Sequence, residues 1–215
     1  MNKQSLVTLT ATVLVVVFGI GAILYDQQQK KKMSDSAQAN ASLLVRDYSP
    51  SKGSDDAKVT IVEFFDPACE TCKAFHPFIG SLMATYPGKI KVVMRYAAFH
   101  QGSDYVVAML EAARNQGKFW EVLEAAYAAQ PIWASHDNPQ PERLWMQLGG
   151  VGLDLKRAQA DMQDPVVMER LRQDMADAQA LGVTKTPGFF VNGKPLVSFG
   201  YEQLKNLVEA EVRAR

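Results

Sequence analysis

At 215 residues the chain has room for one domain of ordinary size plus a modest extra segment. Lys+Arg and Asp+Glu balance at 23 each, which leaves no field to steer a nucleic acid, and no nucleic-acid partner is expected. The 2 cysteines, Cys69 and Cys72, stand too close together to staple a fold, because a bridge stabilises by closing a long loop of the unfolded chain.

From Leu6 to Tyr25 the chain runs without a charge. About 20 such residues, as a helix, cross a hydrocarbon core of ~30 Å. Ile20-Gly21-Ala22 is a poor signal-cleavage site, and Ala37-Gln38-Ala39 lies far beyond the apolar run. The length therefore favours an N-terminal transmembrane helix as an uncleaved anchor over a cleaved signal. Lys3 precedes the run and Lys30, Lys31 and Lys32 follow it; counted strictly, the positive-inside rule would keep the large domain in the cytoplasm. The isolated dithiol argues the other way, for an oxidising compartment. The expected location is a bacterial inner membrane, crossed once, with the domain facing the periplasm or cell exterior.

Asp26 to Ala41 is polar, lacks an apolar period and reads as a tether. Val59 to Phe65 is β-branched and aromatic, ends at Asp66-Pro67 and predicts a buried strand. Cys69 to Tyr86 has helical spacing with Pro77 inside it, and Pro87-Gly88 stops it. Ile90 to Phe99 predicts a second strand and, with the helix between, a right-handed βαβ unit. From 103 to about 181 the period is helical, in segments 106–115, 119–129, 141–148 and 165–181. Gly188 to Val197 reads as a hairpin turning at Asn192-Gly193, and Tyr201 to Val212 as a closing amphipathic helix. The order predicts an α/β domain over 42–215, a sheet covered by helices with a helical insertion over about 103–181.

Cys69-Glu70-Thr71-Cys72 opens a helix just after a strand. There the first sulfur faces unpaired backbone N–H groups and the positive end of the helix dipole, which favour its thiolate, and the second lies close enough to resolve a mixed disulfide. Zinc would need about four ligands, and His76, His100 and His136 form no second ligand pair at the usual spacing, so no metal and no cofactor are expected. Glu63, at the end of an apolar strand, should have a raised pKa or a partner, and Arg95 on the next strand could supply one. His76 reads as a surface residue.

Glu63 six residues before Cys69, Lys73 after Cys72, Pro77 beyond it and Thr186-Pro187 before the hairpin together resemble the thioredoxin superfamily. With the helical insertion, and the phrase from Asp56 to Cys69, the chain from about Leu43 onward is similar to its DsbA/DsbG-like branch of thiol:disulfide interchange proteins. The resemblance implies a thioredoxin-like fold and a protein disulfide oxidoreductase. Cys69 would be the nucleophile, Cys72 the resolving thiol, and Glu63 the acid moving protons to or from Cys72. Pro187 would be the cis-proline, and Thr186 would offer backbone hydrogen bonds to an extended substrate. The partners implied are protein or peptide thiols and disulfides, and a membrane redox partner of the DsbB or DsbD type.

The strong oxidants of that branch carry Pro-His between the cysteines, where this chain has Glu70-Thr71. A carboxylate beside Cys69 opposes its thiolate, so Glu70 and Thr71 are read as redox-tuning residues that weaken the oxidant. The isomerases of the superfamily carry an N-terminal dimerisation domain for which the tether is too short, and a monomer is expected. Two other classes stay open: a redox-inactive peptide-binding chaperone using the groove beside Pro187, and a metal-handling protein using Cys69 and Cys72.

Overall fold

The computed structural model describes residues 12–214; residues 3–11 enter only as the backbone of the first helix. That helix, α1, spans Lys3–Ala39. Residues 6–11 of the expected membrane span lie outside the described residues, and among the described residues no helix is long and apolar enough to cross a membrane. The polar stretch from Asp26, expected to be a tether, is helical through Ala39. Its Gln, Lys, Met and Ala are good helix formers, and no Gly or Pro interrupts it. Lys30 also pairs with Asp26 one turn back, at 2.7 Å. Contacts with the domain pin its end: Ala37 is fully buried, and Asn40 Nδ2 donates to the Ala180 carbonyl at 3.2 Å.

Five strands form one sheet: β1 (Ser51–Lys52), β2 (Val59–Phe65), β3 (Ile90–Tyr96), β4 (Gly188–Val191) and β5 (Lys194–Pro195), in the order β1-β3-β2-β4-β5. β2 and β3 run parallel, joined by α2 (Glu70–Thr85), and the other neighbours are antiparallel. β3 ends at Tyr96, three residues before the expected Phe99. The buried carboxylate of Asp66 takes up the backbone N–H groups of Phe99 and His100, so those residues turn away from the ladder. Asn192 and Gly193 both take positive φ, 47° and 83°, the turn that matches strand twist.

Between β3 and β4 stand α3 (Ser103–Arg114), α4 (Phe119–Ala128), α5 (Gln130–Trp133), α6 (Leu155–Asp161) and α7 (Pro165–Ala180); α8 (Tyr201–Arg213) closes the chain. The 141–147 segment is 3₁₀ rather than α-helical. α6 lies inside the stretch expected to be helical, between the segments named for it, and starts where Asp154 accepts from the Arg157 N–H at 3.0 Å.

Because β2 and β3 pair with Glu63 opposite Met94 and Phe64 opposite Arg95, alternation divides them between two faces. Ile61, Phe65, Val92, Met94 and Tyr96 join Cys72, Phe75 and Ile79 of α2 and the buried residues of the insertion in one core. Val62, Phe64 and Val93 face the other way, with Leu44, Ala178 and Leu181. Glu63 and Arg95 therefore point to opposite faces and do not pair.

Candidate active site

Cys69 is the N-cap residue of α2, in extended backbone at the end of the β2–α2 turn, and its sulfur accepts from the Cys72 N–H at 3.4 Å. The same sulfur lies 3.4 Å from the Thr186 carbonyl. The Cys72 thiol hydrogen bond, together with the Thr186 side chain and the backbone N–H groups of Cys72 and Thr71, outweighs burial and holds the Cys69 thiol down at about 5. Near neutral pH it is a thiolate, the nucleophilic form. Gln130 fixes the turn from below, donating to the carbonyls of Pro67 at 2.8 Å and Cys69 at 3.1 Å.

Cys72 is fully buried. Burial, the hydrogen bond to Cys69 and the Glu63 carboxylate push its thiol well above the ordinary value. The two thiols are thus unequal, one held as a thiolate near neutral pH and the other kept protonated. Glu63, on the same face of the sheet, is 1% exposed, and its Oε1 meets no hydrogen-bond partner among the described residues. Burial first, and the charge on Cys69 second, push its carboxyl up to about 8, so it carries a proton at neutral pH. The Tyr127 hydroxyl and Gln130 Oε1 are likewise buried and unpartnered among the described residues. Glu63 also lines a cavity of about 440 Å³ with His76, Met83, Met94, Trp120 and Glu124. His76, read from sequence as a surface residue, is only 24% exposed and lies 4.0 Å from Glu124.

On the open side, a groove of about 410 Å³ is lined by Cys69, Glu70, Thr71, Phe99, His100, His136 and residues 184–186. The Thr186-Pro187 peptide bond is cis. Pro187 also lines a larger cleft of about 610 Å³, walled by α1 on one side and the β4–β5 hairpin on the other. Glu70 and Thr71 are exposed on the rim, so Glu70 has water to screen it where the groups that lower Cys69 do not. Among the described residues no group of three or more His, Cys, Asp or Glu is arranged to hold a metal ion.

Cys69, Cys72, Glu63, Thr186, Pro187, Glu70 and Thr71 therefore converge on one end of the sheet, from β2, α2 and the loop before β4. The sequence reading missed Asp66, whose carboxylate ties the β2–α2 turn to the β3–α3 loop, and Gln130 and Tyr127, which reach the site from the insertion. Asp66 had a signal, an acid directly before the proline that ends a buried strand. Gln130 and Tyr127 had none, since only the packing of α4 and α5 brings them here.

Comparison with known proteins places this geometry. A family model described as Thioredoxin matches residues 45–210. A thioredoxin-like oxidoreductase from Silicibacter pomeroyi DSS-3 superposes with a TM-score of 0.69 at 30% identity, covering 81% of this chain and 98% of that one. A probable disulfide bond formation protein D from Bacillus anthracis is 26% identical over 93% of both chains. The Na(+)/H(+) antiporter NhaA of Herminiimonas arsenicoxydans is 33% identical over 67% of this chain. The match spans only 22% of that antiporter's length.

Proposed function

The chain belongs to the thioredoxin family, and we propose that it is a thiol–disulfide oxidoreductase acting on protein or peptide substrates through Cys69 and Cys72. The observation that carries the reading is the unequal pair, one thiol held at about 5 at a helix N-terminus and the other fully buried and pushed up. In the oxidised form a substrate thiolate attacks Cys69 Sγ. The Cys69–Cys72 bond breaks, its electron pair goes to Cys72 Sγ, and Glu63 supplies the proton that Cys72 needs. A second substrate thiolate then displaces Cys69 as a thiolate, leaving the substrate oxidised and the dithiol reduced. Thr186, beside the sulfur, holds the extended substrate together with Pro187, while Glu70 and Thr71 adjust the potential from the rim.

The lowered Cys69 thiol favours the oxidant direction. A thiol held at about 5 instead of 9.0 is a thiolate at pH 7, which stabilises the reduced form and so raises the potential. Turnover then needs a membrane redox partner, one of the DsbB type to re-oxidise the dithiol in this direction or one of the DsbD type to reduce the disulfide in the reverse. The apolar run from Leu6 to Tyr25 anchors the chain in a bacterial inner membrane, with the domain outside the cytoplasm as a monomer; its length supports this and the lysines at 30–32 oppose it.

Equilibration of the reduced protein in glutathione buffers gives the potential, and mixed disulfides with a reducible protein substrate give the roles. Cys72→Ser should accumulate mixed disulfides while Cys69→Ser forms none, a complete separation. The opposite pattern reverses the assignment, and a chain that exchanges with neither glutathione nor protein overturns the reading. For the anchor, a C-terminal alkaline phosphatase fusion should be active; an inactive one, with a cytoplasmic reporter active, places the domain inside.

A further inference from the structure

His100 is the feature of the groove that the thiol pair does not use. Asp66 is fully buried, and its two oxygens accept from the Ala68 N–H at 2.8 Å, the Phe99 N–H at 2.7 Å, the His100 N–H at 2.8 Å and the Ser103 hydroxyl. The remaining partner is His100 Nδ1, at 2.7 Å. A carboxylate already serving as acceptor to four donors fixes the tautomer: Nδ1 carries the proton and donates, which leaves the Nε2 lone pair free in the neutral ring. The ring is 37% exposed and lines the same groove as Cys69. An acid that orients a histidine, beside the sulfur at which exchange takes place, is the arrangement by which a base is aimed at an incoming nucleophile.

Resting on the thiol–disulfide reading above, we propose that His100 is a catalytic general base for the substrate thiol, positioned by Asp66. His100 Nε2 takes the proton of the substrate S–H; the substrate sulfur, with its electron pair, bonds to Cys69 Sγ; the Cys69–Cys72 bond breaks, and Cys72 leaves with the pair and is protonated inside the fold. In the reverse direction the same imidazolium protonates the leaving substrate thiolate. The two protons thus travel on opposite sides of the dithiol, through His100 in the groove and through Glu63 behind it. The other charged or titratable groups facing the groove with His100 are His136, with ring centroids 6.2 Å apart, Cys69 at the N-cap of α2, Glu70 in its first turn, and Lys185 from the loop before β4.

An ordinary thiol is only ~3% thiolate at pH 7, so a base can accelerate its attack by at most about 30-fold there. The test is the rate at which the full-length, oxidised chain oxidises a reduced single-cysteine peptide between pH 6 and 9.5, compared with His100→Asn. The Asn amide can still donate to Asp66 but offers no base. A second variant, His100→Gln, carries the same expectation should the first fold poorly. Expected is a loss of about tenfold at pH 7 that closes above pH 9, with no loss toward 2-nitro-5-thiobenzoate, an aromatic thiol already ionised at neutral pH. Equal rates at every pH would overturn the assignment, as would equal slowing toward both thiols. It would fail too if the change were traced by thiolate absorbance to a shifted Cys69. A parent chain inert toward both thiols would instead sink the underlying oxidoreductase reading.

Discussion

On the α7 side of the sheet, Asp174 and Asp177 are 1% and 2% exposed, yet every oxygen is met. Arg95, fully buried, donates to both, Arg46 makes two bonds to Asp177 at 2.8 and 2.7 Å, and Tyr48 and the Tyr96 N–H complete Asp174 at 2.6 and 2.8 Å. On the α2 side Glu63 is as deeply buried, and among the described residues no cation lowers its carboxyl against that burial. The two faces handle a buried acid oppositely. Burial pushes Asp177 up, but its hydrogen bonds from Arg46, Arg95 and Gln173 outweigh burial and hold it below the ordinary value, charged and fixed. Burial wins at Glu63, which stays neutral and can give up a proton. A satisfied network fixes its charges, whereas an acid left without partners keeps its proton.

Removing the cation should break the first face most severely. Arg95→Met leaves two buried carboxylates short of their main partner and should cost about 3–5 kcal/mol, read as a fall in the denaturant midpoint at pH 7. A loss under about 1 kcal/mol would mean that Arg46 and water carry the pair.

The second face should respond with the opposite sign. Glu63 has a folded value of about 8 against an ordinary 4.5. Its favourable contribution is full below about 4.5 and is lost as pH rises through about 8. Glu63→Gln should therefore leave the reduced protein nearly unchanged near pH 4.5 and more stable than the parent by roughly 4 kcal/mol at pH 8. The same variant should slow release of Cys72 in exchange. Parallel stability curves for the two proteins would show that Glu63 finds a partner in solution.

The smallest effect tests the rim. Glu70 is exposed, and its repulsion of the Cys69 thiolate should amount to under ~1 kcal/mol. Glu70→Gln should raise the potential by only about 10–20 mV in glutathione equilibration. A shift several times larger would move control of the poise from the interior of the turn to its surface.

The α2 face was largely legible in the sequence, because its chemistry is local: a strand end, a helix start and two cysteines within ten residues, with Thr186-Pro187 marked by the hairpin after it. The α7 face was not. Arg95 on the next strand was a candidate partner for Glu63, and sequence does not reveal that a register of Glu63 with Met94 sends Arg95 to the far side. Asp174 and Asp177 lie on a helix 79 and 82 residues away from Arg95, a pairing fixed only when the insertion folds back. The same limit hid Gln130. The helix after Tyr25 was not legible for another reason: a helix made of good formers needs no apolar stripe until its end meets the domain.

That last helix sets a distance. From Tyr25 to Ala39 a helix advances about 21 Å, and a flexible chain of the same length would have a similar mean reach. The difference is in direction. A flexible link lets a domain tumble and sample every orientation, while α1, seated by Ala37 and Asn40, fixes the angle between the apolar segment and the dithiol groove. The reactive sulfur therefore works at one height and facing one way relative to that segment, as a head on a stiff stalk. Two glycines placed between Lys32 and Ser36 would give it the freedom to turn.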